Sequence, residues 1–160
     1  MPKGLVVETE LRVRFAETDA QGVVYYAHYF VWFEVARVNF LRTLGFNYSE
    51  AEKAGIGFVI AEAYCRYLAP AHFDELIKIK TWVEDIGRSS FTLGYEVING
   101  ETDQTLALGK TTQVFLDMKG TRKPIPIPAP VREALEKARD SGGETGGNVE
   151  GRAVGKASPH

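Results

Sequence analysis

Apolar residues recur in two rhythms along this chain, and the change between them divides it. Residues 8–15, ETELRVRF, alternate: Leu11, Val13 and Phe15 share one face, while Arg12 and Arg14 take the other. That period of two predicts a first strand. The stretch AETDAQG then breaks the alternation. Over residues 26–44 the spacing turns helical, with Tyr26, Tyr29, Phe30, Phe33, Val38, Phe40, Leu41 and Leu44 in register and Gly45 as the stop. So wide an apolar stripe predicts a helix covered on much of its circumference.

A short second helix follows in YSEAEKAG, where Ser49 and Glu52 have capping-box spacing and Gly55 ends the run. From there the period returns to two. Residues 57–71 and 74–85 read as strands, the latter with Ile77, Ile79 and Val83 set against Lys78 and Lys80. In 89–99, Phe91, Leu93, Tyr95 and Val97 share a face, Asn99-Gly100 signals a turn, and 104–117 supplies the next strand. The basic, proline-rich stretch MKGTRKPIPIPAP leads to a helix at 130–140.

Beyond that point periodicity ends. Residues 1–140 are expected to form one domain, and 141–160, rich in glycine and poor in apolar residues, a flexible tail. Strands joined by short turns without repeated helical crossovers predict an antiparallel sheet. The fold class expected is α+β, a five-stranded antiparallel sheet wrapped around the long helix. Such a sheet leaves open edges, which predicts a homo-oligomer.

Composition narrows the function more by exclusion. The chain has 160 residues, 44% hydrophobic and 25% charged, with a net charge of −2, so nothing in its balance points to nucleic acid. Its lone cysteine, Cys65, cannot form an internal disulfide. With no signal-peptide pattern at residues 1–15 and no membrane-length apolar run, a cytoplasmic protein is expected. Three scattered histidines and no paired cysteines leave no metal motif. Phosphate-binding glycine loops and the G-x-S-x-G elbow are missing as well.

What remains is ETDAQGVVYYAHYF, residues 17–30. A helix starting near Tyr25 or Tyr26 presents unpaired N–H groups and the positive end of its dipole. Such a terminus can hold the oxyanion formed when an ester or thioester carbonyl is attacked. Asp19 stands about one loop ahead, and Gly22 lets the chain turn back so that the carboxylate can attack the carbonyl or activate water. The competing local reading is that Asp19 merely caps the loop and Gly22 serves its turn.

The segment RFAETDAQGVVYYAHYFVWFEVAR resembles the opening motif of the 4-hydroxybenzoyl-CoA thioesterase-like family of the hotdog fold. The likeness continues through YLAPAHFDELIKIKTWVEDIGRSSFTLGYEV and covers about residues 8 to 130. The resemblance implies acyl-CoA thioester hydrolysis without a metal or redox cofactor, in a homotetramer built from dimers. It makes Asp19 nucleophile or general base, and a backbone N–H near Tyr26 the oxyanion donor. In the Tol-Pal-associated branch the position of Tyr26 is often His. Here His28 lies two residues further on, off that helix face.

His28 and Glu34 are reserve catalytic candidates; a second branch of hotdog thioesterases uses a helical Glu. Glu34 and Arg37 otherwise read as a helix pair or dimer contact. Arg88, Ser89, Ser90, Lys119, Arg122 and Lys123 are candidates for holding coenzyme A, whose phosphates need cations and hydrogen bonds. Tyr25, Tyr29, Phe30 and Phe58 are candidates for walling the acyl pocket. An acyl-carrier-protein thioesterase and a non-catalytic acyl-CoA sensor are the alternatives, the latter disfavoured by the retained Asp19.

Overall fold

The computed structural model describes residues 4–141. Strand β1 spans Val7–Arg12, and a single 3-10 turn, Phe15–Glu17, follows. Helix α1 (His28–Thr43) and helix α2 (Tyr48–Lys53) precede strands β2 (Ile56–Tyr67), β3 (Leu76–Ile86), β4 (Ser90–Asn99) and β5 (Thr105–Asp117). Helix α3 (Ala129–Arg139) closes the described part. The strands form one sheet in the order β1-β3-β4-β5-β2, every neighbouring pair antiparallel.

Alternation does what it predicts in β3, where Ile77, Ile79, Thr81 and Val83 are buried and Lys78 and Lys80 are not. It fails at Phe15, which was expected to share the face of Leu11 and Val13. Phe15 is 74% exposed and meets Phe73 edge-on at 5.7 Å. The chain leaves the sheet there because the Glu17 carboxylate takes the Arg14 N–H at 2.8 Å and closes the 3-10 turn.

Helix α1 packs on β1, β2 and β3. Its residues Trp32, Phe33, Ala36, Phe40 and Leu41 are essentially dry. Phe33 stacks on Tyr95 at 4.4 Å and 15°, and its ring edge lies where a Cβ at Gly109 would stand. The helix starts two residues later than its apolar spacing suggests. Tyr25–Ala27 form a tighter lead-in turn, with His28 N–H donating to Tyr25 at 2.9 Å and Phe30 N–H to Ala27 at 3.2 Å.

Two further expectations change. The cap of α2 is Asn47, whose side chain accepts the Glu50 N–H at 3.0 Å, and not Ser49, which lies inside the helix. Arg37 does not pair with Glu34. It is 8% exposed beside the Tyr95 phenol, while Glu34 faces solvent.

The two sheet edges differ. Strand β1 is short, whereas β2 runs for 12 residues, pairs only with β5, and is exposed along most of its length. No helix among the described residues is long and apolar enough to cross a membrane. The expected tail, 141–160, lies outside the described residues apart from Ser141.

Candidate active site

The segment after β1 folds into a tight loop whose ends meet in a Thr18–Val24 bridge. Gly22 supplies the turn at φ +82°, a left-handed value that favours glycine. The Asp19 N–H donates to Val23 at 2.8 Å, and the Asp19 carboxylate accepts the Gln21 N–H at 2.8 Å. Val24 then donates to Ala71 at 2.9 Å, and Val23 bridges to His72. The loop is thereby fastened to the β2–β3 connection.

Beneath it Glu17 is 3% exposed and fully engaged. Besides the Arg14 N–H it accepts the Trp32 indole N–H at 3.0 Å, and the Arg14 guanidinium lies 3.5 Å away. Its own carbonyl accepts the Tyr25 N–H at 2.9 Å. One residue thus ties the Asp19 loop to the body of α1 and to the turn ahead of it.

Asp19 opens onto a cavity of about 400 Å³, lined also by Val23, Val24, Tyr26, Tyr29, Tyr67, Leu68, Ala69 and Pro70. The N–H groups of Tyr26 and Ala27 have no hydrogen-bond partner among the described residues. They are free donors of the kind a helix start leaves over. Burial pushes the Tyr29 phenol up to about 12, so it stays a neutral hydroxyl in the cavity wall. Carboxylate, free N–H groups and an aromatic-lined space are what attack on a carbonyl requires.

The remaining candidates are placed unevenly. Of the proposed acyl wall, Tyr29 lines this cavity. Tyr25 is exposed and meets His28 edge-on at 6.1 Å, and Phe30 leans on Phe33 at 5.7 Å. Phe58 belongs to another cluster, with Phe46, Phe91 and Phe115. Neither His28 nor Glu34 lines the cavity. Tyr67 and Leu68, which pattern reading missed, do.

Arg88 and Ser89 sit in the β3–β4 turn and Ser90 opens β4; the turn is tied to β5 by the Phe115 N–H to Ser89 at 2.8 Å and to the chain after β5 by the Ile127 N–H to Arg88 at 2.9 Å. Lys119, Arg122 and Lys123 are exposed in the loop that follows β5. That loop is held by the Asp117 carboxylate, which accepts the Gly120 and Thr121 N–H groups at 3.0 Å each and is drawn below the usual carboxylate range by them. The cations stay near one another but far from Asp19. Tyr67, at the Asp19 end of β2, pairs with Ala107, while Ile56 at the other end pairs with Asp117. At about 3.3 Å per residue, the two ends of the strand are up to ~36 Å apart.

A second cavity, about 370 Å³, opens at the far end of α1 among Leu41, Leu44, Phe46, Ile56 and Val131, with Glu50 its only titratable lining group. Among the described residues no group of His, Cys, Asp and Glu gathers as a metal site would require.

An antiparallel five-stranded sheet with a buried helix, and a carboxylate loop ahead of that helix, define the hotdog class of enzyme folds. The chain belongs to the thioesterase-like superfamily, which it matches over residues 13–135. It is 32% identical to the acyl-CoA thioesterase YbgC of Haemophilus influenzae over 120 residues, 74% of this chain and 85% of that protein. The DHNA-CoA thioesterase of Staphylococcus aureus is similar in structure, with a TM-score of 0.78 at 34% identity over 83% of this chain and 90% of that one. The fold recurs in Slr0204, a 1,4-dihydroxy-2-naphthoyl-CoA thioesterase from Synechocystis, with a TM-score of 0.75 at 24% identity, covering 81% and 95% of the two chains.

Proposed function

We propose that this thioester hydrolase cleaves acyl-CoA to a carboxylic acid and free coenzyme A, with Asp19 as the reacting carboxylate. The observation that carries the reading is the shared cavity: Asp19 lines it together with Tyr26, and the N–H groups of Tyr26 and of Ala27 after it have no partner among the described residues. As general base, Asp19 takes a proton from water while the oxygen adds to the thioester carbon. The carbonyl oxygen becomes an oxyanion, held by the Tyr26 or Ala27 N–H. Collapse then breaks the C–S bond and expels the coenzyme A thiolate, which takes up the proton. As nucleophile, Asp19 would instead form an acyl-aspartyl anhydride that water hydrolyses in a second step. No metal or redox cofactor enters either route.

Within the superfamily, the sequence motifs favour the 4-hydroxybenzoyl-CoA thioesterase-like branch, with Tyr26 in place of the His common in its Tol-Pal-associated members. Coenzyme A reaches its cations through a second copy. Antiparallel pairing of two β2 edges would lay the Arg88 and Lys119–Lys123 end of one copy over the Asp19 end of the other. A dimer on those edges, doubled into a tetramer, is the assembly we propose, working in the cytoplasm. Residues 1–140 would be its catalytic domain.

Thiol release from a panel of aromatic, short and long acyl-CoAs tests the reading, with wild type and Asp19→Asn run side by side. The expected loss in kcat for the variant is about 10²–10⁴-fold, with affinity for a non-hydrolysable thioether analogue retained. Turnover by Asp19→Asn equal to wild type would remove Asp19 from the chemistry and return attention to Glu34 and His28.

A further inference from the structure

We infer that Tyr67 is a positioning residue for this hydrolysis: its hydroxyl fixes and polarises the Tyr26–Ala27 peptide, and of the two free N–H groups it is the one on that peptide, Ala27's, that holds the oxyanion. The inference rests on the reading of Asp19 and the N–H groups given above. Tyr67 ends β2, and its hydroxyl donates to the Tyr26 carbonyl at 2.7 Å across 41 residues of sequence. The same carbonyl has only one other donor among the described residues, the Tyr29 N–H at 3.4 Å. The Tyr67 bond is therefore the shorter and stronger of the two.

Two consequences follow from that bond. The Tyr26–Ala27 peptide precedes α1 and lacks the i→i+4 ladder that would hold it, so a side-chain bond from the sheet sets its plane. A donor on an amide oxygen also draws electron density from the nitrogen, strengthening the N–H of the same amide as a donor by ~10–30%. That amide N–H belongs to Ala27, one of the two without a partner.

The ring is itself held in place. Tyr67 meets Tyr29 edge-on at 4.9 Å and 90°, and Tyr26 at 6.3 Å and 85°. Burial, with the Cys65 thiol beside it, pushes the Tyr67 phenol well above its ordinary range, so the hydroxyl remains a donor at any working pH. Tyr67 also lines the Asp19 cavity.

Tyr67→Phe keeps the ring and its edge contacts and removes only the hydroxyl. On an acyl-CoA that the wild type cleaves, kcat is expected to fall about tenfold, with KM and the affinity for the thioether analogue within twofold. Binding of the analogue counts competent sites, so kcat per site is defined even if the variant loses some stability. Unchanged kcat, or a rise in KM at unchanged kcat, overturns the inference and makes Tyr67 a packing or substrate contact. Those results leave the activity reading standing, because the wild type is then active. A wild type that cleaves no acyl-CoA overturns both.

Discussion

At position 17 the chain buries a carboxylate beside the loop that carries Asp19. Glu17 is engaged from three sides, by the Arg14 N–H, the Trp32 indole and the Arg14 guanidinium. Glu17→Gln keeps the shape but turns one accepting oxygen into a donor that must face one of these N–H groups. That leaves buried donors unsatisfied, at a cost of about 1–3 kcal/mol. Trp32→Phe deletes the indole donor and also leaves a void in the dry core, so it should cost more. Chemical denaturation of the two variants checks the order; a Gln variant as stable as wild type would show that the carboxylate is not what fastens the loop. Asp19 and Gly22 could be picked out from the sequence because an acid and a glycine stand a few residues ahead of the start of an apolar helix. Glu17 and Tyr67 could not, since what gives them roles is a partner 15 or 41 positions away that only the fold brings near.

The elements were legible in proportion to how far one rhythm governs them. Strands β3, β4 and β5 fall within two residues of their expected bounds because one face of each is dry along most of its length. Ends are decided by single hydrogen bonds instead. The apolar stripe of α1 runs on through Tyr26, so spacing alone could not show that a 3-10-like turn stands between loop and helix. At α2 the Ser49–Glu52 spacing suited a capping box, yet Asn47 stands two residues earlier in extended backbone, φ −109° and ψ 105°, where a cap must be. Asn47→Ala should therefore destabilise the protein by about 1 kcal/mol, and Ser49→Ala, inside the helix, by much less. Equal melting curves for the two variants would mean that packing against β2, not the cap, holds α2.

For the whole molecule the decisive feature is the β2 edge, whose unpaired backbone is flanked by apolar surface. Val59, Ile60 and Tyr64 are 40%, 42% and 55% exposed on it, and Leu68, just past its end, is 48% exposed, a run that natural proteins normally blunt with lysine, proline or a bulge unless another strand covers it. The one bulge here, between Ile60 and Glu62, lies against β5 and leaves the outer side open. One copy also holds Asp19 at one end of the strand and Lys119, Arg122 and Lys123 beyond the other, so on the function proposed above an isolated chain would have half of each site. Tyr64→Lys tests this without disturbing the core, since a half-exposed edge position should change the stability of the single chain by no more than about 0.5 kcal/mol. In a two-fold β2–β2 pairing each copy would bring its new charge to the same seam, and like charges facing across strands oppose association. Sedimentation velocity should show wild type as a dimer or tetramer and Tyr64→Lys shifted towards monomer, with acyl-CoA turnover falling as the assembly dissociates. Turnover that persists in the monomer would mean that one chain binds its substrate alone, and the cations that hold coenzyme A would then have to be sought nearer Asp19.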